Sequence, residues 1–263
     1  MIEPRQSVFN QQIEQLASML SNARHATILT GAGISVPSHI PDMESAVNQF
    51  GLFSQTWLES DPTAFYRRFH REMLDPIRKY GPTRAHRVIA RLEQQGLIDG
   101  VVTTNVDHLH QLAGSTHVIE VWGSIDVNFC LRCGRTFSLQ ALHASVPKCP
   151  VCGGLLSPEP AFRHLGGILP ENLKQANAYV RLKLTEGAWR IPLQEKLADE
   201  LLAQSDLTIV TGSNGYYRHT SPRHLVEINP HTTWFTPHAD FSIRLAADDV
   251  FAALASKLKL THY

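Results

Sequence analysis

Cys130-Leu-Arg-Cys133 and Cys149-Pro-Val-Cys152 are two Cys-x-x-Cys pairs separated by fifteen residues. No other feature restricts the fold so sharply, because four thiolates at this spacing converge only if the chain between them folds back on itself. Such a set suits a tetrahedral Zn2+, and four cysteines leave no open position for water, so the metal is expected to be structural rather than catalytic. Gly134 and Gly153-Gly154 allow each knuckle to turn tightly. These are all the cysteines of the chain, which argues against a distributed disulfide framework. Two disulfides or four free thiols are the alternatives, and a cytoplasmic location disfavours both.

That location is itself an expectation. The start, Met1-Ile-Glu-Pro-Arg-Gln6, has no apolar signal region, and no run approaches a membrane span. Lysines plus arginines equal aspartates plus glutamates at 24 each, so no basic field for nucleic acid or an acidic membrane is expected. A zinc ribbon on a nucleic-acid protein is disfavoured for the same reason.

Outside the cysteine window, short apolar runs alternate with helical stretches. Helical spacing from about Ser7 to Asn22 predicts a first amphipathic helix, and His25–Thr30 a buried strand. Phe50 to Gln95 reads as mostly helical, broken by Pro62, Pro76 and Gly81-Pro82. Further strands are predicted at Gly100–Thr104, Val118–Val121, Asp206–Thr211 and Leu225–Asn229, with a closing helix over Asp248–Leu258. The pattern predicts an α/β fold, a doubly wound, Rossmann-like parallel sheet with a smaller zinc-binding module inserted. The expected division is 1–129 with 194–263 as a nucleotide-binding domain, 130–154 as the zinc module, and 155–193 as an irregular, helical part of the small domain.

Polar clusters recur at predicted strand ends, where ligands bind in open α/β sheets. Thr30-Gly-Ala-Gly-Ile-Ser35 offers glycines for close backbone approach to a pyrophosphate, with a helix amino end expected nearby. It lacks the third glycine of the full dinucleotide fingerprint, and a plain strand-to-helix turn fits it equally well. Ile40-Pro41-Asp42, Thr103-Thr-Asn105-Val-Asp107-His-Leu-His110, Trp122-Gly123, Thr211-Gly212-Ser213-Asn214 and Asn229 follow in order.

Together, from Thr30 to Asn229, these motifs resemble the sirtuins, the silent-information-regulator family of NAD-dependent protein deacylases. The resemblance implies NAD in a cleft between a large domain and a zinc module. It implies Gly31, Ala32, Gly33, Ser35 and Asp42 around the pyrophosphate and its ribose, and Asn105 and Asp107 at the nicotinamide end. Gly212, Ser213, Asn214 and Asn229 are implied at the adenosine end, and an unidentified protein is implied as acceptor.

The chain departs from the family pattern at four places. Trp122 stands where the family has its catalytic histidine, and an indole nitrogen only donates, so it cannot serve as a general base. Met43-Glu44 replaces Phe-Arg, Thr104 replaces a glutamine, and Ala161-Phe-Arg-His-Leu-Gly166 replaces Phe-Gly-Glu. The missing base predicts a loss of about a hundred- to ten-thousand-fold in the base-dependent step. ADP-ribosyl transfer or NAD cleavage, with Asn105, Asp107 and Trp122 at the reacting centre, is therefore the expected activity. Thr220-Ser-Pro-Arg223 resembles that minor branch. The alternatives are deacylation through another base, with His39 the best-placed histidine, and a silent binder of NAD or ADP-ribose.

Overall fold

The computed structural model describes residues 3–161, 190–218 and 223–261. Its strands are β1 (Ala26–Thr30), β2 (Gly100–Thr103), β3 (Val118–Glu120), β4 (Asn128–Cys130), β5 (Thr136–Phe137), β6 (Leu156–Pro158), β7 (Leu207–Thr211), β8 (His224–Ile228) and β9 (Phe241–Ile243). Six of them form one parallel sheet in the order β3-β2-β1-β7-β8-β9, and β5-β4-β6 form a small antiparallel sheet. The strand order reverses between β1 and β7, so the crevice outside their carboxyl ends is the topological switch point.

Every residue of β1 and of β7 is buried, because side chains alternate between two covered faces. Ile28 and Ile209 enter a core with Leu16, Val88 and Phe251, which come from α1 (Glu3–Asn22), α5 (Arg84–Gln94) and the last helix, Ala247–Lys257. Their neighbours Leu29 and Val210 point the other way, onto Ala198 and Leu202 of the helix Arg190–Gln204. This explains why both strands read as continuous apolar runs.

Between β1 and β2 lie α2 (Gln55–Ser60), α3 (Pro62–Phe69), α4 (Asp75–Tyr80) and α5. The helices part at Asp61-Pro62 and at Gly81-Pro82, whereas Pro76 sits in the first turn of α4 with no gap before it. Pro62 opens α3, where its missing N–H costs nothing, and the Asp61 carboxylate accepts from the Ala64 amide at 3.0 Å. Phe65, Tyr66 and Phe69 of α3 are fully buried beside Cys130 and Leu156, and the Tyr66 hydroxyl donates to the Leu156 carbonyl at 2.6 Å. The helical segment thus holds the small sheet against the large one.

Two features differ from the sequence expectation. The glycine turn opens into two short 3-10 turns, Ala32–Ile34 and Val36–Ser38, rather than an α-helix. Its backbone is committed elsewhere: the Gly31 and Gly33 amides donate to the Thr211 and Gly212 carbonyls at 3.1 and 2.9 Å. The edge strand β9 is unforeseen, being three residues long and only partly buried. Residues 162–189, which make up most of the predicted irregular part, and residues 220–222 of the Thr-Ser-Pro-Arg motif lie outside the described residues.

The two loops at the switch point touch backbone to backbone. A Cβ on Gly33 would lie 2.7 Å from the Gly212 Cα, and one on Gly212 would lie 2.5 Å from the Ile34 nitrogen. Gly212 also has φ +61, which a residue with a side chain adopts only under strain. Gly212→Ala is expected to lower stability by about 1–3 kcal/mol from the backbone conformation alone. The check is a urea midpoint displaced downward with an unchanged slope; an unmoved midpoint would mean that the loop approach is dispensable.

Candidate functional site

The carboxyl ends of β1, β2, β3, β7 and β8 deliver their loops to one cavity of about 1060 Å³. Gly31, Ala32, Gly33, Ser35, Asp42, Asn105, Asp107, Trp122, Gly212, Ser213, Asn214 and Asn229 all line it. Residues from five separate loops therefore line one cavity. The lining also includes Tyr216, His231 and residues 246–248, which motif reading did not single out. Tyr216 follows an ordinary loop glycine, and residues 246–248 begin a helix with no distinctive cap, so neither carried a sequence signal.

Asp107 is the most enclosed carboxyl of the lining, 3 % exposed. The Ser35 hydroxyl donates to Asp107 Oδ2 at 2.6 Å, and the Leu109 amide to Oδ1 at 3.0 Å. Asn105 Nδ2 donates to Ser35 Oγ at 3.1 Å, which joins the β1 and β2 loops through one chain of hydrogen bonds. Burial pushes the Asp107 carboxyl above the ordinary range, partly offset by the hydrogen bonds from Ser35 and Leu109.

Behind this floor, His110 is fully buried, with Nε2 2.9 Å from Thr30 Oγ1 and its ring edge-on to His86 at 4.6 Å. Burial holds His110 down to about 3, so the ring is neutral and structural. His108 adopts a left-handed backbone, and its two ring nitrogens lie 3.8 Å from Glu120 and from Asp126. Burial alone would lower it, but the carboxylates of Glu120, Asp126 and Asp107 raise it overall. His39 is exposed and lies against Tyr80 at 4.3 Å. Neither His39 nor His108 is among the described cavity residues, so His39 is not positioned as a stand-in base.

Trp122 sits in the turn after β3, as its sequence context predicts. Gly123 takes φ +84 and its amide donates to the Glu120 carbonyl at 3.1 Å, while the Ser124 amide donates to Glu159 Oε2 at 2.9 Å. The indole lies half-buried in the cavity wall, 6.3 Å from the Tyr216 ring. Among the described lining residues there is no lysine or arginine, whereas Asp42, Glu44, Asp107 and Asp248 contribute carboxyls.

The four cysteines converge beside β4. Their sulfurs all lie within 4.8 Å of one another, with Cys130–Cys152 at 3.5 Å and Cys133–Cys149 at 3.7 Å. Zinc–sulfur bonds of about 2.3 Å in a tetrahedron put sulfurs about 3.8 Å apart, so the set fits that ion and not a disulfide pair. Gly154 is needed for this closure, since a Cβ there would lie 2.7 Å from Cys130 Sγ.

A model of the Sir2 family matches residues 31–185, more than half of the chain. The chain belongs to the Sir2 family. A sirtuin relative from Pyrobaculum aerophilum, NAD-dependent protein deacylase 2, is 33% identical over 260 residues, 93% of this chain and 95% of that protein. NAD-dependent protein deacylase from Thermus thermophilus is 31% identical over 263 residues, 93% of this chain and 94% of the relative. Among solved structures, Sir2 with a p53 peptide and NAD+ superposes with a TM-score of 0.70 at 28% identity, covering 95% of this chain and 99% of that one. Sir2 bound to an acetylated peptide gives 0.68, with the same identity and coverage.

These relatives correct the functional expectation drawn from Trp122. ADP-ribosyl transfer or NAD cleavage as the main activity is overturned, because relatives similar over 88–93% of the chain are a deacetylase and deacylases. The physical reason is that loss of one base leaves the rest of the cleft in place, including the buried Asp107 carboxyl. No described helix is long and apolar enough to cross a membrane.

Two outcomes follow from the geometry. Unfolded histidine binds a proton below about pH 6.5, whereas folded His110 resists it until about pH 3. Its contribution to stability is therefore complete above about pH 6.5 and is lost as pH falls, by about 1.4 kcal/mol per unit. His110→Asn should flatten the fall in urea stability between pH 7 and 5; an equally steep fall would exclude this histidine as its source. Chelation of the metal, or Cys149→Ser, should unfold the β4–β6 module, read as rapid proteolysis between Val146 and Leu155. Continued resistance to the protease would show that the metal does not hold the module.

Proposed function

We propose that this sirtuin is an NAD-dependent protein deacylase that removes an acyl group from a lysine of a protein acceptor. The observation that carries the reading is the convergence of the predicted polar clusters from the β1, β2, β3, β7 and β8 ends on one cavity. The relatives named above support the direction of the chemistry.

In this reading Gly31, Ala32, Gly33, Ser35 and Asp42 bind around the pyrophosphate and its ribose. Asn105 and Asp107 bind the nicotinamide end, and Gly212, Ser213, Asn214 and Asn229 the adenosine end. NAD+ supplies, when bound, a ribose carbon made electrophilic by a departing nicotinamide. The described lining residues include no lysine or arginine, so in this reading dipoles and hydroxyls rather than cationic side chains meet the pyrophosphate. The cysteines hold a structural zinc ion. The domain division at 1–129 with 194–263, 130–154 and 155–193 belongs to the same proposal. So does a cytoplasmic location, supported by four cysteines arranged for a metal rather than for disulfides.

The chain is an atypical member at Trp122, which accepts no proton. The proton of a ribose hydroxyl then needs another acceptor, and Asp107 is the enclosed carboxyl at the cavity floor. Its raised pKa makes it a stronger base than an exposed carboxylate, and its oxygens retain lone pairs beyond those used by Ser35 and Leu109. Trp122 contributes apolar wall area that excludes water from the same space.

The test is incubation with NAD+ and acetyl-lysine peptides, following nicotinamide and deacetylated peptide together. Equal amounts of both are expected, and nicotinamide release without deacetylated peptide would sink the reading. Asp107→Asn should cost at least about a hundredfold in kcat, whereas Trp122→Phe should cost less than about tenfold. The reverse order would remove Asp107 as proton acceptor.

A further inference from the structure

Three loops bring Glu44, Trp122 and Tyr216 together at the outer rim of the cavity. The Tyr216 hydroxyl donates to Glu44 Oε2 at 3.5 Å, and the Tyr216 and Trp122 rings lie 6.3 Å apart at 57°. Tyr216 is 68% exposed, an unusual state for a large aromatic ring that lines a cavity. We propose that these three residues form a recognition corner for a cationic side chain next to the acylated lysine of the acceptor protein.

Two aromatic faces beside a carboxylate suit a cation, which the ring quadrupoles and the negative charge both attract. The rest of the described lining strengthens that preference. Asp42, Asp107 and Asp248 add carboxyls, and neither lysine nor arginine offsets them there. An acidic side chain at the rim would meet Glu44, with no lysine or arginine among the described lining residues to offset the repulsion.

The acylated lysine itself is a neutral amide, so the cation must come from a neighbouring residue of the acceptor. The cofactor also carries a cation, its pyridinium ring. That small ring suits the enclosed floor, where Asn105 and Asp107 are 7% and 3% exposed, better than an open rim. A chain entering from solvent passes the rim first. The inference names the substrate class of the deacylase reading and rests on it.

The experiment measures binding without turnover. Labelled acetyl-lysine peptides of one length, carrying Arg, Gln or Glu immediately before or after the acetyl-lysine, are titrated by fluorescence anisotropy at low salt. The Arg peptide is expected to bind about five- to tenfold more tightly than the Glu peptide, the size of one exposed charge pair and one cation–aromatic contact. The gap should narrow as salt is raised. Glu44→Arg should invert the order, and Tyr216→Ala should reduce the preference.

Charge-blind binding, failure of every peptide to bind, or an order unchanged by Glu44→Arg would each overturn the proposal. So would a change confined to NAD+ affinity, which would assign the corner to the pyridinium. Charge-dependent binding without any deacylation would sink the deacylase reading and leave the corner standing. Charge-blind binding with normal deacylation would do the opposite.

Discussion

The contact on which the site depends is the backbone approach of the β1 loop to the β7 loop. Gly31 and Gly33 lie so close to Gly212 that none of them has room for a side chain. Two amide-to-carbonyl hydrogen bonds, at 3.1 and 2.9 Å, fix that approach at the point where the strand order reverses. The crevice between diverging connections is therefore floored by main chain. A ligand there meets main chain on the β1–β7 side and the buried Asn105 and Asp107 side chains on the β2 side, which suits close recognition of a dinucleotide.

This floor is tied to the neighbouring strand by side chains. Asn105, Ser35 and Asp107 form one hydrogen-bonded chain, and Thr30 and Thr103 continue it to the buried His110. Groups proposed to bind the cofactor and groups that only support the sheet belong to the same network. Replacement of a residue in that network would therefore disturb geometry as well as chemistry. Trp122 lies in the cavity wall. Its position comes from the turn after β3, pinned through Glu159, so its substitution perturbs the wall more than the floor.

Much of the architecture is legible in the sequence because buried parallel strands and paired cysteines leave direct signatures. The apolar runs at β1 and β7, the Cys-x-x-Cys pairs and the polar residues at strand ends all report their own environment. The short 3-10 turns after β1 do not, since they arise from contact with a loop about 180 residues later. β9 is equally silent: it is short and half-exposed, and what holds this edge is the buried Glu227, which takes hydrogen bonds from Thr236 and Ser242 and pairs with Arg244 at 2.8 Å. Tyr216 reads as a loop residue until the rim is assembled. The functional preference drawn from Trp122 failed differently. A single chemical absence was legible at Trp122, whereas the burial that raises the Asp107 carboxyl comes from the assembled fold and leaves no mark in the sequence.

The pairing of β1 with β7 joins residues 26–30 to residues 207–211. A chain emerging from the ribosome presents β1 before its central partner exists, so one hydrogen-bonding edge of that strand stays open while about 180 further residues are made. Such distant pairing raises the contact order and slows folding. The crevice thus cannot form until β7 is made, and chains that stop short of it, with that strand edge unpaired, are the form most exposed to aggregation.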